Sequence, residues 1–165
     1  MSRIEELQKN GEEFTNIDKE ISLKDSGFPV LTANAYLGAW GIKKALDKGA
    51  DIVVCPRVTD AAVVMGPAAW RFNWERNDFD KLAGALAAGH IIECGCQATG
   101  GNYAFFEEVP SFENVGFPIA EIQSDGSFFI TKHPGTGGLV SVGTVTAQLL
   151  YAVSYTHLTL PTNDQ

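Results

Sequence analysis

Arg57, Thr59 and Asp60 stand together in the run CPRVTD, with Asn34 and Tyr36 upstream in TANAY. A guanidinium grips a carboxylate or phosphate through two parallel hydrogen bonds, and a carboxylate beside it orients the bound group or takes a proton from it. The alternative is structural: an Arg57 and Asp60 pair ties a loop, and Thr59 or Asp60 caps the helix that follows. A second group is the run KHPGTGG, with Lys132, His133, Gly135, Gly137 and Gly138 ahead of an apolar helical stretch. Free N–H groups at such a helix start receive an anion, while Lys132 adds charge and His133 a proton carrier. Val140 stands where a dinucleotide fingerprint needs its last Gly or Ala, and no Gly-Lys-Ser/Thr completes a P-loop. A tight structural turn is the alternative there.

His90, Glu93 and Cys94 form the third group, spaced so that His90 shares a helical face with both others. His90 and Glu93 make a candidate acid/base dyad. Cys94 and Cys96, two positions apart, point to different sides of a helix, and no Cys-x-x-Cys pair completes a tetrahedral set. No metal site is expected, and burial of small cysteines is the simpler account. A serine nucleophile elbow, Gly-x-Ser-x-Gly, is missing too. The catalytic candidates are Asp60, His90, Glu93 and His133; the substrate- or anion-binding candidates are Asn34, Arg57, Thr59, Lys132, Gly135, Gly137 and Gly138.

Alternation of apolar runs and turn residues predicts the elements that must carry these groups. Residues 1–27 are a polar lead-in, 28–33 a buried strand, 37–48 a helix stopped by Gly49, and 51–55 a second strand. Strand, helix and strand with short links make a right-handed βαβ unit with parallel strands. Its carboxyl edge would hold Asn34, Tyr36, Arg57, Thr59 and Asp60, where ligands of open α/β sheets collect. Helices at 61–72 and 79–93 follow, the second capped by Asn77 or Asp78, and then an irregular aromatic and acidic stretch over 103–116. Strands at 119–123 and 128–132 flank Asp125-Gly126, the pair favoured in a two-residue type I′ hairpin turn, and a helix runs from 139 to about 151. The fold class expected is α/β: a partial, mostly parallel sheet with helices on its faces, plus an antiparallel hairpin.

The balance of 20 acidic against 12 basic residues, a net charge of -8, repels phosphate backbones and anionic lipid, so neither nucleic acid nor a membrane is an expected partner. At 45% apolar residues the 165-residue chain has the composition of a soluble globular protein. The charged opening stretch holds no secretory h-region. Three cysteines cannot all pair with one another, which suits a reducing cytoplasm.

The segments TANAYLGAW, ADIVVCPRVTDAA, GHIIECGCQATGGN, GFPIAEI and TKHPGTGGLVSVGTVTAQLLY occur in one order over residues 32–151, within a resemblance that covers about residues 11–151. Together they resemble the N-terminal domain of the acyclic terpene utilisation family. The resemblance implies a role in breaking down acyclic terpenoids of the citronellol and geraniol type, whose acids are handled as coenzyme A thioesters; it transfers no active-site residue. It also implies a longer protein, of which residues 28–152 are a slice of the α/β domain. The run VSYTHLTLPT within 153–165 resembles a translated sequencing adapter and reads as a tail foreign to the domain.

The expected function is catabolism of acyclic terpenoids or branched-chain acids, with a small acid or acyl thioester as partner and no certain cofactor beyond a coenzyme A thioester substrate. The alternative is a non-catalytic scaffold or subunit for acyl-coenzyme A pathway enzymes, or a homo-oligomer. An incomplete sheet leaves strand edges and apolar faces uncovered. The chain expressed alone is therefore expected to aggregate, bind a hydrophobic dye and melt broadly; a soluble monomer with a sharp two-state calorimetric transition would be the contrary result.

Overall fold

Small residues decide how closely the helices of this chain approach. The computed structural model describes residues 2–151, so the tail expected at 153–165 lies outside the described residues. They form two compact units, Met1–Ala35 and the chain from Tyr36 onward. In the first, α1 (Ser2–Lys9) leads into turns in which the Asn16 side chain accepts from the N–H groups of Asp18 and Lys19. The segment 28–33, expected as a strand, lies here without a ladder partner, with Phe28 and Leu31 exposed.

The second unit holds α2 (Trp40–Asp47), α3 (Ala62–Arg71), α4 (Phe79–Ile92), β1 (Pro118–Ile122), β2 (Phe128–Lys132) and α5 (Val142–Tyr151). The expected helices are all present within a few residues. The largest trim is at 37–39: Leu37 instead forms a parallel bridge with Val58, donating to the Arg57 carbonyl at 3.1 Å and accepting from the Thr59 N–H at 2.9 Å. One core cluster joins Ala68 and Ala69 of α3, Trp74 of the link that follows, and Ala85 of α4; another joins Ala39, Ile42 and Ala62. The fully buried Trp74 donates from its ring nitrogen to the Ser124 carbonyl at 2.9 Å, tying the hairpin turn to the helices.

Two glycines of α4 make the close contacts. A Cβ on Gly84 would collide with the Gly126 carbonyl oxygen in the hairpin turn, and one on Gly89 would stand 2.8 Å from the Cα and Cβ of Ala61. The hairpin sits on one part of α4 and the start of α3 on another.

The mixed helices and hairpin agree with an α/β chain, but the mostly parallel sheet is not formed among the described residues, whose one sheet is the antiparallel pair β1 and β2. Parallel pairing is limited to two isolated bridges, Leu37 with Val58 and Val115 with Gly137. Residues 51–55 keep the alternation of a strand, Val53 and Cys55 half-buried against the Ile42 cluster and Ile52 and Val54 exposed, without a ladder partner. Apolar alternation favours extended backbone, but a strand needs a neighbour to satisfy its N–H and C=O groups.

The hairpin turn also differs from the expected two-residue form. Gln123 N–H bonds Ser127 O at 2.8 Å, leaving Ser124, Asp125 and Gly126 as the loop, with Gly126 at φ +90°. Asp125 keeps a negative φ and accepts from the Ser127 N–H and hydroxyl. This is a type I turn closed by a left-handed glycine.

Gly89→Ala should destabilise the protein by about 1–2 kcal/mol, because the backbone of Ala61 cannot yield and overpacking outweighs the gain in helix propensity. Gly41→Ala, in α2 where nothing lies within 4 Å of the added carbon, should be neutral or stabilising by up to about 1 kcal/mol. Urea denaturation of both variants checks the contrast.

Candidate functional site

The contact of Ala61 with Gly89 has a chemical consequence, because Asp60 precedes Ala61 and Glu93 follows Gly89 by one helical turn on the same face. Their carboxyl groups meet across the gap between α3 and α4. They line a cleft of about 270 Å³ with Pro56, Arg57, Val58 and Val63. Arg57 reaches Asp60 Oδ1 at 3.8 Å, and its guanidinium lies 5.0 Å from the centre of the Tyr36 ring.

No side-chain cap bonds the start of α3; Thr59 acts there through its carbonyl, which accepts from Ala62 N–H at 2.8 Å. Asp60 is thereby left to the cleft.

Glu93 stands at the carbonyl end of α4, its N–H bonded to Gly89 O at 3.0 Å. Burial first, then the Asp60 carboxyl, pushes its pKa above the usual carboxylate range. A negative charge at a helix carboxyl end is also disfavoured by the helix dipole. The Asp60 charge beside it disfavours the Glu93 carboxylate, so Glu93 holds its proton more tightly than a free glutamate does. Cys94 lies against Glu93, and burial first, then the neighbouring Glu93 carboxyl, pushes its thiol pKa up, so it is no activated nucleophile.

The partner of Glu93 is thus Asp60 and not His90. His90 is 8% exposed, and its carbonyl accepts from the Gln148 amide at 3.2 Å, within the packing of α4 against α5. Asn34 belongs to the first unit, where it lines a hollow with Ile4, Leu7, Phe14 and Val30.

The glycine loop is closed on itself. Lys132 Nζ donates to Thr136 O at 2.7 Å, the Thr136 hydroxyl donates to His133 O at 2.6 Å, and the N–H groups of Gly137 and Gly138 bond Asn114 O and Ser111 O. Ser141 and Thr144 cap the start of α5 reciprocally. These amides and this ammonium are engaged by the protein itself, while Gly135 and His133 are exposed. None of the loop residues lines the cleft.

Among the described residues no group of three or more His, Cys, Asp or Glu side chains is arranged to hold a metal ion. No helix among them is long and apolar enough to cross a membrane. The apolar wall of the cleft, Pro56 and Val63, and the buried Gln148 behind it went unread in the sequence. The Asp60 and Glu93 pairing had one legible signal, the glycine a turn before Glu93.

The chain belongs to the acyclic terpene utilisation family: the family model described as acyclic terpene utilisation family protein AtuA matches residues 1–161. No curated protein and no solved structure matches it.

The raised pKa of Glu93 fixes a sign. The folded chain holds this proton more tightly than the unfolded chain, so the stabilisation it gives is complete below the ordinary glutamate pKa and is lost as pH rises through the raised value. Glu93→Gln should abolish that loss, so the variant gains stability relative to the parent as pH rises. Urea titrations across that range, comparing the two chains, measure it.

Proposed function

We propose that the unit from Tyr36 onward binds an anionic acyclic terpenoid acid or its coenzyme A thioester and moves a proton on it. What carries this is one cleft that brings together an arginine, a carboxylate 3.8 Å from it and a second carboxyl whose pKa is raised. Arg57 grips the carboxylate or a phosphate of the thioester carrier. Asp60 is the base that takes a proton beside the carbonyl, and Glu93 is the acid that returns one. Pro56, Val58 and Val63 offer apolar surface to a branched hydrocarbon chain. Family membership supports the substrate class, and the protonated Cys94 suits a reducing cytoplasm.

A second reading is favoured by the exposed Ile52 and Val54 on a segment without a ladder partner. There residues 51–55 become a strand of a parallel sheet completed by another chain, and the protein serves as a subunit beside pathway enzymes or as a homo-oligomer.

Incubation with the acid of citronellol, which carries a CH2 beside its carbonyl, and its coenzyme A thioester in D2O, followed by mass spectrometry, separates the two. Deuterium should enter the ligand with the parent chain and about 100- to 10,000-fold more slowly with Asp60→Asn or Glu93→Gln. Arg57→Ala should weaken binding in calorimetry by about 10- to 100-fold, the loss of a charge-assisted pair. A folded parent chain that binds neither ligand sinks the first reading. Copurification with a hydratase or carboxylase whose turnover ignores Arg57→Ala and Asp60→Asn supports the second.

A further inference from the structure

Gln148 lies in α5 and is fully buried. A buried amide normally has its hydrogen bonds made within the protein. Its Nε2 donates to the His90 carbonyl at 3.2 Å across 58 positions of chain, leaving Oε1 without a partner. The His90 carbonyl is one of the last four of α4, which a helix leaves without an internal donor. Its neighbour, the Gly89 carbonyl, is taken by the Glu93 N–H. Gln148 therefore closes the end of α4 from which Glu93 leaves toward the cleft.

The same amide lies against the Cys94 thiol, and that thiol lies against the Glu93 carboxyl. The contacts run from the core outward: Gln148, Cys94, Glu93, Asp60, with Arg57 at the mouth. Helix α5 is itself held at its start by the Ser141 and Thr144 cap, so Gln148 is presented from a fixed element.

We propose that Gln148 is a positioning residue for the Asp60 and Glu93 pair: by capping the carbonyl end of α4, it sets the direction in which the Glu93 carboxyl enters the cleft. The inference rests on the reading of that pair as the working site, but its test needs no ligand. The Glu93 titration, followed by carbon-detected NMR on the full chain, reports the position of the carboxyl directly. Gln148→Met keeps the length of the side chain and removes its hydrogen bonds. The helix end should loosen, Glu93 gain water, and its midpoint fall toward the ordinary carboxylate value by about half a pH unit or more. Asp78, held low by the Glu75 N–H and by Lys81 at the other end of α4, should not move.

Should Gln148→Met not fold, Gln148→Asn, which keeps the amide but withdraws it by one methylene, carries the same expectation as Gln148→Met. Folded Gln148 variants of lower stability with an unmoved Glu93 midpoint would overturn the proposal, reducing Gln148 to packing. A moved midpoint together with ligand binding indifferent to Glu93→Gln would keep the positioning role and remove the proposed function.

Discussion

The absence of a side chain at Gly89 is the constraint from which the site follows. Helices with ordinary side chains at a crossing keep their axes about 8–10 Å apart. Here the missing Cβ lets the backbone at Ala61 settle directly onto α4. Asp60 is the residue before that contact and Glu93 lies one turn beyond it, so a packing requirement and a chemical one coincide. Gly84 repeats the device nearer the start of the helix, where it seats the hairpin turn.

Burial then separates the roles of the two acids. Glu93 is held where its charge is disfavoured, by the loss of water, by Asp60 and by the carbonyl end of its own helix. Asp60 stands beside the Arg57 guanidinium at the cleft mouth. The two carboxyls of the cleft thus differ in surroundings, one withdrawn from water and the other beside a cation. The thiol behind them remains protonated and acts as a hydrogen-bonding wall, not a nucleophile.

The glycine loop at 132–138 shows how the same residue types serve a structural end. Its amides bond the carbonyls of residues 111 and 114, Lys132 folds back on Thr136, and Thr99 ties Gly116 and Leu139 together behind it. Together with the capped start of α5, the loop fixes the helix that carries Gln148. Glycines were needed there for close backbone approach and left-handed turns, at Gly138 for example, with φ +84° beside the Thr99 carbonyl.

Local information in the sequence settled the helices, the hairpin and the family, because apolar period, Gly49 as a stop and the Asp125-Gly126 pair act over a few residues. It also singled out Arg57, Asp60 and Glu93, since charged groups beside apolar runs are conspicuous. Tertiary structure alone decided who meets whom. Spacing offered His90 as the partner of Glu93, whereas the Gly89 crossing delivered Asp60 from another element. Residues 28–33 and 51–55 read as strands but join no ladder, because a ladder requires a second chain segment at about 4.8 Å, a fact no single window of sequence contains. Gln148 was invisible for the same reason: a glutamine among apolar residues is ordinary on a helix surface, and only the docking of α5 on α4 turns it inward onto the His90 carbonyl.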